Sequence, residues 1–174
     1  IIGGSQGAKI FDNLINNSII ALSKKYKLKI YQQTNLSNFE NLQNNYRDNN
    51  IDCELFDFNE DISTFMNKSN ICITRAGAST LAELVFLNLP HIVIPLPTAK
   101  DNHQFKNAIF YNEIGCNWIL NQNEINEISV ANKLSSIIDN KDEYLEKENN
   151  MKNFSYQNSW NNINQKIKSV INEN

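Results

Sequence analysis

Short apolar runs, each followed by a stretch with helical spacing, recur along the whole chain, and this alternation limits the possible folds more than any other feature of the sequence. Ile1-Ile2 leads through a glycine-rich loop into Ile10, Phe11, Leu14, Ile15, Ile19 and Leu22, which share one face of a helix. Residues 28–33 alternate as a short strand, and residues 36–46 follow as a polar surface helix ending in the turn-like Asp48-Asn49-Asn50. Residues 51–58 are the next strand. Asp61 is placed to cap a short helix over residues 62–67, and Phe58 and Phe65 are expected in the core. Ile71-Cys72-Ile73 and then His91-Ile92-Val93-Ile94 read as strands buried on both faces of a parallel sheet, the second stopped by Pro95. Residues 116–120 form the last strand. The pattern predicts an α/β fold, a Rossmann-like parallel sheet with helices on both faces.

The 174 residues suit one domain, residues 1–174, whose tail over residues 129–174 reads as helices. In that tail Trp160, Ile163, Ile167, Val170 and Ile171 make a narrow apolar seam with few lysines opposite it. Such a seam suits packing across a domain surface better than membrane contact. A net charge of -3 gives no basic face, so nucleic acid is set aside as a partner. Cys53, Cys72 and Cys116 are widely spaced within apolar runs, which argues against a disulfide framework or zinc site and for a reducing cytoplasm. No apolar run approaches the roughly 18 residues of a membrane helix, and no signal-peptide pattern is present. Ile1 is not a methionine and reads as the tail of a strand, so a fragment with something missing upstream is expected.

Against this background the chemistry concentrates in three places. Of 5 glycines, Gly3, Gly4 and Gly7 fall in the first loop and Gly77 in a turn after the Ile71-Cys72-Ile73 strand. The first loop, Gly3-Gly4-Ser5-Gln6-Gly7-Ala8, joins a strand to a helix; it is either an anion site or an ordinary tight turn, and it matches neither a dinucleotide fingerprint nor a Walker loop. The second place is Thr74-Arg75-Ala76-Gly77-Ala78-Ser79-Thr80-Leu81-Ala82-Glu83. Here Ser79 and Thr80 fall in a helix's first turn, where hydroxyls and free N–H groups bind a diphosphate. Glu83 is either the partner of Thr80 in a capping box or an acceptor for ribose hydroxyls. The third place opens a helix after Pro97: Asp101 is a plausible N-cap, with Asn102, His103 and Gln104 projecting from the first turn. His103 has a side chain suited to a general base, but no carboxylate orients it in the sequence, so it is assigned with Asp101 to a pocket wall or cap.

Together these motifs resemble a known family. Gly3-Gly4-Ser5-Gln6-Gly7-Ala8, then Arg75-Ala76-Gly77-Ala78-Ser79-Thr80 with Glu83, then Pro95 followed by Asp101-Asn102-His103-Gln104 and Asn107-Ala108, resemble in order and spacing the carboxyl-terminal half of the MurG family of bacterial glycosyltransferases. The resemblance covers residues 1–120 and fades in the helical tail. It implies the donor-binding half of a GT-B enzyme that moves GlcNAc from UDP-GlcNAc to lipid I, giving lipid II for peptidoglycan. It also implies that no metal or other cofactor is used. Lipid I would be met through an amino-terminal acceptor domain absent from this chain, which would also hold the catalytic base; alone, this half would be inactive. Membrane contact would be indirect, with the full-length enzyme at the cytoplasmic face of the plasma membrane.

Residue by residue, the resemblance places Gly4, Ser5 and Gln6 at the diphosphate and the backbone of Asn59 at the uracil. Ala78, Ser79 and Thr80 would give N–H groups to sugar and phosphates. Glu83 would hold the ribose hydroxyls and Gln104 those of GlcNAc, with Arg75 and Gly77 lining the pocket. Two other readings remain open at this point: another GT-B enzyme, such as a glycolipid transferase or sugar-nucleotide epimerase, or a free-standing UDP-sugar-binding subunit that needs a partner.

Overall fold

The computed structural model of this chain describes residues 1–3, 8–59 and 61–172. Strands β1 (Lys29–Gln33) and β2 (Asp52–Phe56) pair in parallel, as do β3 (Cys72–Thr74), β4 (His91–Val93) and β5 (Asn117–Ile119). Ile1 and Ile2 join the two ladders. The Ile1 nitrogen donates to Tyr31 O at 2.7 Å and Gln33 N–H donates to Ile1 O at 2.9 Å; on the other side Ile2 N–H donates to Ile73 O at 2.9 Å and Arg75 N–H to Ile2 O at 3.4 Å. These are parallel-strand pairings on both sides of one extended segment, so a single sheet runs β2, β1, Ile1-Ile2, β3, β4, β5. In chain order that is 3-2-1-4-5-6, the doubly wound arrangement in which the order reverses between the first and fourth pieces. The expected Rossmann-like architecture is the one observed.

Alternation along the strands sends neighbouring side chains to opposite helix layers. On one face α1 (Ala8–Ile10), a π turn (Phe11–Ile15) and α2 (Asn16–Ser23) run consecutively, joined by α7 (Glu127–Asp139) and the Tyr46 side chain of α3 (Phe39–Asp48). Phe11, Ile15, Ile19, Val130 and Leu134 pack there on Ile30, Ile73, Ile92 and Trp118. On the other face α4 (Ile62–Asn67), α5 (Ala78–Phe86) and α6 (His103–Glu113) bring Met66, Leu81, Leu84 and Ala108 onto Ile2, Cys72 and Val93. Burying one such aliphatic side chain contributes about 1.5–3 kcal/mol, so the short central strands are held mainly by these two layers. Because every strand is parallel, all carboxyl ends open on one edge.

Several local expectations are corrected. Phe65 is buried but Phe58 is 80% exposed, since the chain leaves β2 before reaching it. Asp61 is the N-cap residue of α4, as expected, and its carboxylate accepts from the hydroxyls of Ser63 and Thr64. The helical tail opens at Glu127, earlier than residue 129, because Asn126 and Ser129 form a reciprocal capping box. That tail consists of α7, α8 (Lys141–Gln157) and α9 (Trp160–Asn172). Along α9, Trp160, Ile167 and Ile171 are exposed, so the seam expected to pack across the domain is left uncovered by the described residues.

Candidate functional site

The reversal of strand order lies between Ile2 and β3, and two of the three motif stretches leave the sheet there. Ligands of open α/β sheets bind in the crevice outside the carboxyl ends at such a point. Gly4, Ser5 and Gln6 lie outside the described residues. On either side of them, Gly3 follows the Ile2 pairing with β3, and α1 begins at Ala8.

Arg75 connects the pieces. Its side chain is buried, its Nη1 donates to Ile94 O at 2.9 Å and Pro95 O at 3.4 Å, and its guanidinium carbon lies 5.2 Å from the centre of the Phe11 ring on the helix after the glycine loop. Arg75 Nε is buried without a partner, and no carboxylate pairs with this side chain among the described residues. Burial lowers its pKa, yet a guanidinium stays protonated in proteins. Among the described residues, this cation's desolvation is offset by carbonyl dipoles and an aromatic face, next to the crevice.

Beside it the turn into α5 supplies the complementary donors. Gly77 is the N-cap, with no side chain to offer, and the first helical bond runs from Leu81 N–H to Gly77 O at 3.0 Å. The N–H groups of Ala78, Ser79 and Thr80 therefore have no acceptor among the described residues, and they stand at the positive end of the helix dipole. Gly77 has ordinary negative φ, and a Cβ there would meet only Thr80 Oγ1 at 3.7 Å, so the fold itself does not require glycine. Ala78 and Ser79 are exposed and Thr80 half-buried. With the helix starting at Gly77, Thr80 is not an N-cap and the Thr80–Glu83 capping box does not form. Glu83 is exposed, with no side-chain partner among the described residues.

Gln104 ties the third stretch to the second. Its Oε1 accepts from Leu96 N–H at 3.0 Å and Ala76 N–H at 3.3 Å, while Asn107 Nδ2 donates to Ala76 O at 3.0 Å. Two backbone donors on Oε1 fix the amide orientation and leave Nε2 without a partner among the described residues. Asp101 is not the cap of α6. Asp101 and Asn102 both take left-handed backbone (φ 53° and 54°), and Asn102 is the residue that precedes the helix. His103 is exposed and its Nδ1 donates to Lys100 O at 2.7 Å, closing the turn, which agrees with a cap rather than a base. Asn59 lies past the carboxyl end of β2; its Oδ1 accepts from Asp61 N–H at 2.8 Å, so its side chain is engaged locally. The structure thus brings Arg75, the Gly77–Thr80 turn and Gln104 into one hydrogen-bonded unit, while Asn59, Asp101 and His103 stand on the same edge without bonds to it.

Sequence reasoning missed one group on this edge. Asp12, in the π turn, is buried and accepts from Gln32 Nε2 (3.0 Å), Thr34 Oγ1 (2.8 Å) and Asn38 Nδ2 (2.7 Å). An aspartate inside a helical pattern reads as surface, and only its neighbours in space reveal its role. On the opposite, amino edge a cavity of about 940 Å³ is lined mainly by Ile1, Leu22, Leu28, Ile30, Ile73 and Leu134. Lys25, Lys27, Lys29, Lys68 and Lys141 line it as well, while the three motif stretches lie on the carboxyl edge. Among the described residues no group of three His, Cys, Asp or Glu side chains could hold a metal ion.

Residues 1–167 match the family described as glycosyltransferase family 28 C-terminal domain. The chain belongs to this family. The family 28 domain is 67% identical over 174 residues to the UDP-N-acetylglucosamine--N-acetylmuramyl-(pentapeptide) pyrophosphoryl-undecaprenol N-acetylglucosamine transferase of Pelagibacter ubique, covering 100% of this chain and 49% of that protein. It is 42% identical over 143 residues to the enzyme of the same name from Rickettsia bellii, covering 80% of this chain and 40% of the relative. The domain therefore spans about half the length of the curated relatives it matches. A crystal structure of Acinetobacter baumannii MurG aligns with a TM-score of 0.74 at 29% identity, over 86% of this chain and 43% of that one. The fold is that of the carboxyl-terminal half of a GT-B glycosyltransferase.

Proposed function

We propose that this family 28 domain is the donor-binding half of an inverting transferase that moves GlcNAc from UDP-GlcNAc to the muramoyl sugar of lipid I. The observation that carries this reading is the buried Arg75, paired with no carboxylate among the described residues, beside the N–H groups of Ala78, Ser79 and Thr80, which find no acceptor among them, at the point where strand order reverses. The names borne by the relatives support the choice of donor and acceptor. In this reading the acceptor hydroxyl attacks the anomeric carbon, the bond to UDP breaks, and negative charge grows on the departing diphosphate. Preorganised N–H groups and the Arg75 guanidinium take up that charge, each such donor contributing about 3 kcal/mol to barrier lowering. Glu83, without a side-chain partner among the described residues, accepts from the ribose hydroxyls. Gln104 Nε2, held in place by the two N–H groups on its oxygen, donates to the sugar.

No metal takes part in this scheme. Deprotonation of the acceptor falls to an amino-terminal acceptor domain, so this half alone binds nucleotide and transfers nothing. The complete enzyme would work at the cytoplasmic face of the membrane, which this half touches only indirectly. Among the described residues no helix is long and apolar enough to cross a membrane. Isothermal titration of the domain with UDP and UDP-GlcNAc, with and without EDTA, tests the reading. Binding in the micromolar to millimolar range that EDTA leaves unchanged is expected; no heat at millimolar nucleotide, or binding only with a divalent ion, contradicts it.

A further inference from the structure

We propose that the cavity on the amino edge is a strand slot, filled in the complete protein by an extended apolar segment that continues the Ile1-Ile2 strand in the amino direction. The bonding pattern of the sheet marks its walls. In a strand the N–H and C=O of one residue point to the same side, and those of the next residue to the other. On β1, Tyr31 O accepts from the Ile1 nitrogen and Gln33 N–H donates to Ile1 O; on β3, Ile73 O accepts from Ile2 N–H, and Arg75 N–H donates to Ile2 O. The same alternation turns Tyr31 N–H and Lys29 O on one wall, and Ile73 N–H and Ile71 O on the other, toward the gap ahead of Ile1. None of these four groups has a partner among the described residues. The walls stand two strand spacings apart, roughly 9.5 Å, which is room for one strand.

The cavity occupies that gap. Ile30 and Tyr31 line it from one wall, Ile71 and Ile73 from the other, and Leu22 of α2 and Leu134 of α7 from the helix layer. Its five lysines are exposed, and Lys25 and Lys29 already pair with Asp139 and Asp52, so charge marks the rim while the interior is apolar. A peptide answers the open backbone groups with its own amides, whereas the chain of an amphiphile would leave them unpaired. Ile2 packs in the α4–α5 layer and Ile1 against the α2–α7 layer, so alternate side chains of the segment, starting two residues before Ile1, point into the cavity. With both faces covered, a run of about four apolar residues is expected, the reach of the β1 wall from Tyr31 back to Leu28. The relatives have polypeptide to supply it, since this domain covers 49% of the Pelagibacter ubique protein.

The test is amide hydrogen exchange, resolved to single residues, on this chain and on the complete protein, with anilinonaphthalene sulfonate, an anionic aromatic amphiphile, as a probe of the cavity. In the complete protein Tyr31 and Ile73 should exchange at least about tenfold more slowly than in this chain, and the dye should bind this chain alone. Ile30 and Gln32, which face β2, serve as unchanged references. Replacing the segment before Ile1 by a Gly-Ser sequence in the complete protein should return both amides to fast exchange and admit the dye. That comparison holds even where the isolated chain is unstable; where the replacement itself prevents folding, a single aspartate two residues before Ile1 takes its place. Equal exchange of Tyr31 and Ile73 with and without the replacement would overturn the inference. Dye binding in this cavity of the unaltered complete protein would overturn it as well, and would make an anionic amphiphile the occupant.

Discussion

Gln104 Oε1 accepts a 3.3 Å hydrogen bond from the N–H of Ala76, a residue that leaves a different strand. With the second bond, from Leu96, this amide holds two loops at the mouth of the crevice. Replacing Gln104 by alanine leaves two backbone donors without an acceptor and should cost about 1–3 kcal/mol of stability. Gln104→Glu keeps the acceptor and removes the outward donor. Its unfolding midpoint should stay near that of the parent, while its preference for UDP-GlcNAc over UDP falls, measured by paired calorimetric titrations.

Glu83 is exposed and has no side-chain partner among the described residues, so Glu83→Gln should change stability by less than about 0.5 kcal/mol. The same change weakens hydrogen bonds from ribose hydroxyls and should raise the Kd for UDP about tenfold. Urea unfolding and UDP titration of one preparation check both halves.

Two glycines should behave in opposite ways. Gly115 follows α6 with φ of +80°, and a Cβ there would come within 2.5 Å of Asn150 Nδ2, whose bond to Gly115 O would be disturbed. Gly115→Ala should destabilise by about 1–2 kcal/mol, as expected where a left-handed backbone closes a helix. Gly77→Ala should leave stability nearly unchanged, because the added Cβ would meet only Thr80 Oγ1 at 3.7 Å, and should weaken UDP binding if the start of α5 holds the diphosphate.

His91 gives the fold a pH dependence. It is fully buried on β4, its Nδ1 donates to Leu89 O, its Nε2 has no partner, and burial, with the nearby charge of Lys147, pushes its pKa down from 6.5 to about 4. The unfolded chain takes up a proton near pH 6.5 and the folded chain only near pH 4. The associated stability is therefore complete above pH 6.5 and is lost as pH falls toward 4, by about 3 kcal/mol in all. Urea unfolding at pH 7 and pH 5 should show part of that loss, and His91→Gln should flatten it.

The parallel sheet was legible because strands buried on both faces cannot hide their apolar runs: Ile71-Cys72-Ile73 and Ile92-Val93-Ile94 have no amphipathic alternative. The turn at Arg75 to Thr80 was legible for a related reason, since a strand end, a glycine and a hydroxyl-rich helix start leave few backbone solutions. Positions set by tertiary geometry were not. The capping box at Thr80 and Glu83 depended on where α5 begins, and a glycine N-cap moved that start one turn earlier. Asp101 resembled a cap, but two successive left-handed residues passed that place to Asn102. Asp12 was invisible because its partners are brought to it by the crossover from β1, not by sequence proximity.

The central claim is that the start of α5 beside Arg75 holds the diphosphate. Titration of the 15N-labelled chain with UDP, followed through its backbone amide resonances, tests this most directly. The amides of Ala78, Ser79 and Thr80 should shift strongly and saturably with UDP and much less with uridine. Saturable UDP binding that leaves those three amides unmoved would contradict the claim.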